Sequence, residues 1–165
     1  MKITTISDEL KRRYGHKVLK LSLSSGCTCP NRDGTKGWGG CSFCSEGGSG
    51  EFAALPAPPG VQIKQAKALV DGKFPSSLPA SERKYIAYFQ SFTNTYVRNR
   101  EEMEGLRKLY AETIQRPEIA ALSIGTRPDC LPAEILEMLG ELRTVKPVWV
   151  ALGLQTIHEI GRAHV

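Results

Sequence analysis

No apolar run in this chain approaches the eighteen or more residues that a membrane-spanning helix needs, so no such helix is expected in it. The opening stretch, MKITTISDELKRRYGHK, lacks an apolar core and a small-residue cleavage site, so no secretory signal is expected. There are no internal repeats and no long low-complexity tract. Acidic residues fall short of basic ones, 17 against 22, leaving a moderate net charge of +5. Much of the excess lies in Lys11, Arg12, Arg13, His16, Lys17 and Lys20, which suits either a solvated helix end or a contact for phosphates or nucleic acid. The remaining composition, 41% hydrophobic and 24% charged over 165 residues, is that of one ordinary globular domain, with the cytoplasm as expected compartment.

What the chain does have is cysteine in one place. Four of its five cysteines fall within the eighteen residues from Cys27 to Cys44, inside the stretch CTCPNRDGTKGWGGCSFCSEGGSG; Cys130 stands apart. Without a secretion signal a disulfide framework is disfavoured, and clustered thiols point to metal or iron–sulfur ligation. Asp33–Gly34 is a turn signal, and Gly37, Gly39 and Gly40 allow close backbone approach to a bulky group.

Around this loop the pattern alternates. A short polar helix is expected over 5–14, with Thr5 or Ser7 as N-cap and Gly15 as stop, then a strand over 17–24. Pro56, Pro58, Pro59 and Gly60 form a stiff connector to a helix over 61–71, with Ile63, Ala66, Leu69 and Val70 on its inner face. A Pro/Ser linker leads to a strand over 84–90. A helix over 99–115 follows, with Met103, Leu106, Leu109, Tyr110 and Ile114 turned inward. A strand over 119–124, a helix opened by Pro132 and a strand over 148–154 complete the series. Strands alternating with helices form a parallel sheet. Each strand ends in unusual polar chemistry: the cysteine loop, QSFTNTY, GTRPD and GLQT. That edge is where α/β enzymes assemble their sites.

Two ligand sets compete on spacing. Cys29, Cys41 and Cys44, as C-x11-C-x2-C, suit a [4Fe–4S] cluster with one iron left open; Cys27, Cys29, Cys41 and Cys44 suit a closed tetrahedral zinc. Zinc is weakened by the single residue between Cys27 and Cys29, although residues i and i+2 of an extended strand do share a face. The zinc alternative implies a nucleic-acid-binding module without catalysis.

Five segments then carry a resemblance. Gly26–Gly34 (GCTCPNRDG), Gly39–Cys44 (GGCSFC), Tyr88–Tyr96 (YFQSFTNTY), Ile124–Pro132 (IGTRPDCLP) and Trp149–His158 (WVALGLQTIH) occur in order at the expected strand ends. Together they resemble radical S-adenosylmethionine (SAM) proteins of the Elp3-like branch, specifically an uncharacterised bacterial subfamily marked by GFTCPNRDG, GGCTFC, YFQSFTNTY, IGTRPDCLP and WVELGLQTIH. The resemblance implies the first part of a TIM-like (βα)6 barrel, with parallel strands inside and helices outside. A helical extension would occupy 1–15 and the barrel core 16–159, as three βα units and a fourth strand. It implies that Cys29, Cys41 and Cys44 hold a [4Fe–4S] cluster while Cys27, at a position usually aromatic, does not. SAM would bind the open iron and be cleaved reductively to a 5′-deoxyadenosyl radical for hydrogen abstraction. Phe43 matches an aromatic position whose backbone lies near the adenine in the superfamily. Arg127 is the candidate partner of the SAM carboxylate; Asn94, Thr93, Thr95 and Gln155 offer neutral hydrogen bonds to its amino-acid moiety or ribose. Gly47, Gly48 and Gly50 resemble a backbone cradle behind the cluster. Cys130 is expected to be a buried structural thiol. An electron donor such as flavodoxin or ferredoxin is the implied partner, and relatives acting on tRNA suggest an RNA substrate by analogy alone.

The chain departs from that pattern at Ala151, where the subfamily has a glutamate that accepts hydrogen bonds from SAM. The last six residues, Ile160 to Val165, also leave the pattern. Encoded as ATC GGA AGA GCA CAC GTC they spell a sequencing-adapter oligonucleotide, so 160–165 is expected to be a non-native tail and Ala151 a suspect base. A barrel stopping at its fourth strand would carry an unpaired edge and an uncovered apolar face, which predicts poor solubility.

Overall fold

Four strands run parallel in the order β1-β2-β3-β4: β1 (Leu19–Leu23), β2 (Tyr85–Phe89), β3 (Ile119–Thr126) and β4 (Val148–Leu152). This is the arrangement in a computed structural model, which describes residues 4–42, 44–48 and 53–153. Helix α1 (Ile6–Tyr14) precedes the sheet, and α2 (Pro59–Val70), α3 (Arg100–Gln115) and α4 (Ala133–Arg143) connect successive strands. The alternation expected of an α/β fold with a parallel sheet is therefore present.

Register explains the layering. Leu21 aligns with Ala87, Leu122 and Val148, and Leu23 with Phe89, Ile124 and Val150, so one face is apolar across the whole sheet. Against it pack Ile63 and Ala66 of α2, Met103, Leu106, Tyr110 and Ile114 of α3, and Ile135, Met138, Leu139 and Leu142 of α4, in one continuous core. Fully burying a large apolar side chain contributes about 1.5–3 kcal/mol, which makes this interface the main source of stability. The opposite face carries Ser22, Tyr88, Ser123 and Trp149 in one row, with Gly125 beside Ala151 above it.

Helix ends follow local chemistry. Thr5 caps α1 in a capping box with Asp8, and Gly15 closes it in the left-handed conformation at φ 76°. Asn99 caps α3 by accepting from the Glu102 amide.

The inner face of α2 differs from the expected one. Leu69 is 71% exposed, whereas Gln62 is 1% exposed. The helix turns Gln62, Ile63 and Ala66 inward because the Gln62 amide has partners there. It accepts from Ser24 N and donates to Ser24 O and Ala57 O, anchoring the chain where β1 ends. Strand β3 runs through Gly125 and Thr126, two residues past the expected end, because β4 pairs with both. Among the described residues β4 has one strand neighbour, and Val150 and Leu152 remain 37% and 53% exposed. The expected tail over 160–165 lies outside the described residues.

Candidate functional site

At the C-terminal edge of the sheet lies a cavity of about 310 Å³. Its walls come from the cysteine loop (Cys29, Arg32, Gly40, Cys41, Cys44, Gly48), from β2 and its end (Tyr88, Gln90, Phe92, Thr93), from the end of β3 (Gly125, Thr126, Arg127) and from β4 (Ala151, Leu152, Gly153). Four segments that lie far apart in sequence thus meet in one place.

The cysteine loop is a chain of tight turns. Arg32 N donates to Cys29 O at 2.8 Å, Gly40 N to Asn31 O at 3.0 Å and Cys44 N to Cys41 O at 2.9 Å. The last bond puts Cys41 and Cys44 on one turn. Gly40 and Gly48 have φ of 87° and 66°; a Cβ there would come within 2.7 Å of the Arg32 side chain and 2.4 Å of the Phe92 ring. Only glycine fits both the backbone and the space. The outer lobe of the loop is tied to the segments that follow β2 and β3, and Arg98 lies 3.9 Å from Asp33 there. Thr35 Oγ1 shares a hydrogen bond with Tyr96 Oη at 2.7 Å, and Lys36 pairs with Asp129.

The four clustered cysteines separate in space. Cys29, Cys41 and Cys44 line the cavity. Cys27 instead packs against the apolar core and faces a second cavity of about 370 Å³, bounded by Arg98, Glu102, Leu106 and Leu109 of the α3 region. Burial pushes its thiol pKa up. Among the described residues no three Cys, His, Asp or Glu side chains are gathered tightly enough to hold a single ion. A four-cysteine zinc needs that convergence, with Cys27 turned toward the others. Cys29, Cys41 and Cys44, which line one cavity, are the thiols that could together hold a metal centre there. Asn31 Nδ2 donates to Cys41 Sγ at 3.2 Å, the kind of N–H···S bond that stabilises a ligating thiolate.

Arg127 borders the cavity and also grips Asp129, through Nε and Nη2 at 2.9 Å each. That contact uses two of the five N–H donors of its guanidinium. The bond from Arg127 holds the Asp129 carboxyl well below the usual carboxylate range, with Lys36 reinforcing it. Cys130, buried beneath this pair, has a thiol pushed up to about 12 by desolvation, with Asp129 adding to the shift. It is a buried thiol, as expected, and does not line the cavity.

Asn94 and Thr95 occupy a different place from the one expected. Asn94 is fully buried. Its side-chain amide donates to Phe89 O at 3.1 Å and Gly125 O at 2.9 Å, and its Oδ1 accepts from Ser25 Oγ at 2.7 Å. It brackets the ends of β1, β2 and β3 from beneath. Thr95 Oγ1 donates to Cys130 O and therefore accepts from Thr126 Oγ1. Neither residue lines the cavity; their neighbour Thr93 does. Phe43, Gln155 and Gly50 lie outside the described residues.

Several cavity residues had no role assigned from the sequence. Arg32, Tyr88, Gln90 and Phe92 all sit within the quoted motifs, and for those on and after β2 the signal that could have found them is β alternation. Tyr88 and Gln90 share a face on that count, and both line the cavity. Lys20, counted with the basic N-terminal group, has its Nζ 4.9 Å over the Tyr88 ring and so belongs to the cavity side of the sheet. Ala151, the departure from the family pattern, lies in the cavity wall.

No family model matches the chain, and no solved structure matches it significantly. It is 42% identical over 166 residues to the uncharacterized protein YtqA of Bacillus subtilis, an alignment covering 97% of this chain and 48% of YtqA. It is 37% identical over 168 residues to protein YhcC of Escherichia coli K12, covering 98% of the chain and 50% of YhcC. A similarity of 30% over 154 residues links it to an uncharacterized protein of Methanocaldococcus jannaschii, covering 91% and 43%. The chain spans about half the length of the curated relatives it matches.

Proposed function

We propose that this chain forms the cluster- and SAM-binding portion of a radical SAM enzyme, built on the first units of a TIM-like barrel. The observation that carries the reading is the partition of the cysteines: Cys29, Cys41 and Cys44 share one cavity with the ends of β2, β3 and β4, and Cys27 does not. A purely structural zinc has no need of polar groups from three strand ends. An iron left without a protein thiolate does, because its remaining ligands come from a bound molecule.

When bound and reduced, a [4Fe–4S] cluster supplies the electron for cleavage of SAM to methionine and a 5′-deoxyadenosyl radical, which takes a hydrogen atom from substrate. The protein's own work is to bind, orient and exclude water. Cys29, Cys41 and Cys44 would ligate three irons, with Asn31 supporting the Cys41 sulfur. Arg127, oriented by Asp129, presents a guanidinium fork suited to a carboxylate. Gln90 and Thr93 supply neutral polar groups on the adjoining wall, and Tyr88, Phe92 and Leu152 supply the apolar surface that keeps water and stray hydrogen donors away. The electron donor would be a flavodoxin or ferredoxin. An RNA substrate rests on analogy with Elp3-like proteins.

Anaerobic purification and reconstitution test the reading. A brown protein holding about four iron and four sulfide per chain, and forming 5′-deoxyadenosine from SAM under dithionite, supports it. A colourless protein with one zinc overturns it in favour of the nucleic-acid-binding module.

A further inference from the structure

Arg32 touches both ends of the cysteine loop. Its main-chain N–H donates to Cys29 O at 2.8 Å. Its guanidinium reaches three successive carbonyls on the far side: Nη2 donates to Cys44 O at 3.4 Å and to Ser45 O at 2.5 Å, and Nη1 to Glu46 O at 3.4 Å. The same group lies 5.3 Å over the ring of Phe92, in the turn that follows β2, whose own φ is 58°. A left-handed backbone is costly for an aromatic residue, so the surrounding structure must impose it. Phe92 N donates to Gly48 O at 3.3 Å, and Gly48 has no room for a Cβ because the Phe92 ring fills that space. Gly40 is in the same position toward Arg32 itself. The guanidinium is therefore held between left-handed Gly40 and the Phe92 ring, which left-handed Gly48 backs in turn.

We propose that Arg32 is the positioning residue of the cysteine site, fixing Cys44 relative to Cys29 by clamping the Cys44–Glu46 carbonyls onto the Phe92 ring. The proposal rests on the cluster-binding reading and adds a residue to which that reading gives no role. The physical case is one of shape. A planar cation with forked donors bonds adjacent carbonyls on its edge while stacking on its face; a lysine ammonium is a point charge that does one or the other. Among the described residues the loop contributes only Cys27 to the apolar core, so a single rigid brace has a large effect on the distance between its first and last ligands. Arg32 also brings a positive charge to a cavity wall that carries three thiols.

The test compares wild type with Arg32→Gln, Arg32→Lys and Phe92→Leu, before and after anaerobic reconstitution with iron and sulfide. In the cluster-free protein, amide hydrogen exchange at Cys44 and Gly48 should quicken about tenfold or more in both Arg32 variants, with the core strands unchanged. After reconstitution the cluster midpoint potential should fall in Arg32→Gln, because a nearby cation favours the more negative reduced form, and stay near wild type in Arg32→Lys. A merely structural role would not divide the two variants in this way. Loop exchange at the wild-type rate in Arg32→Gln overturns the proposal. Should that variant fail to fold, Phe92→Leu keeps the guanidinium and removes its plate, and unchanged loop exchange there overturns it equally. A wild-type protein that takes up no iron overturns the cluster reading instead, and the exchange data on the cluster-free protein still decide the brace.

Discussion

The side-chain amide of Asn94 donates to the carbonyl of Gly125 at 2.9 Å, while the Asn94 main-chain N–H donates to that same oxygen at 3.2 Å. One buried residue thus ties the turn after β2 to the end of β3, directly beneath the cavity floor. Replacing Asn94 with alanine leaves Phe89 O and the Ser25 hydroxyl without this partner in a buried setting. We expect a loss of about 1–3 kcal/mol, read as a lower urea midpoint with unchanged slope. An Asn94→Ala protein as stable as wild type would show that this bracket is dispensable.

The cysteines provide a second test. Cys29→Ala, Cys41→Ala and Cys44→Ala should each abolish the visible absorbance of the reconstituted protein, while Cys27→Ala retains it. If the site were a four-thiolate zinc, all four substitutions would release metal. Iron, sulfide and zinc analysis of the four variants separates these outcomes.

Ala151 sits in the cavity wall opposite Gly125, where the resembling subfamily carries a carboxylate. Ala151→Glu should tighten SAM binding by about 1–3 kcal/mol, the range of a charged hydrogen bond in such a site, which is on the order of 5- to 150-fold in Kd. Equilibrium dialysis with labelled SAM measures it directly. Equal affinity in the two forms would count against this wall as the SAM contact.

Acid stability should report on Asp129. Its folded carboxyl is held below the usual range by Arg127 and Lys36, so the folded state refuses a proton that the unfolded chain accepts near pH 4. The resulting stabilisation is present above that pH and is lost as pH falls toward the folded value. Urea midpoints of wild type and Asp129→Asn should therefore differ most above about pH 5 and converge as the pH falls through 4 and below. Parallel curves would mean the pair contributes no pH-dependent stability.

Among the described residues, strand β4 presents Val150 and Leu152 to solvent beside a strand edge. Such a surface templates association, and a charge on it is a common natural remedy. Leu152→Lys should shift this chain from aggregate toward monomer in sedimentation velocity. A wild-type chain that is already a monodisperse monomer would remove the basis for the prediction.

The sequence alone determined the alternation of strands and helices, because apolar spacing along β1 to β4 and α2 to α4 is a local signal that the core then uses almost unaltered. It also identified the stretches that build the site, since glycines, prolines and cysteines at strand ends have few other uses. Local pattern could not say which side chains of those stretches look inward. Leu69 and Gln62 are both compatible with helical spacing, and a hydrogen-bond partner on β1 selected Gln62. Asn94 and Thr95 are expected from the sequence to face a ligand and instead stand off the cavity, where they satisfy carbonyls of Gly125 and Cys130, at and just past the end of β3, 31 and 35 residues away. The four clustered cysteines were ambiguous for the same reason. Spacing allows Cys27 to join its neighbours, and only its packing on the apolar core beside α3 separates its thiol from theirs. Local chemistry names the candidates; burial and partners distant in sequence assign them their places.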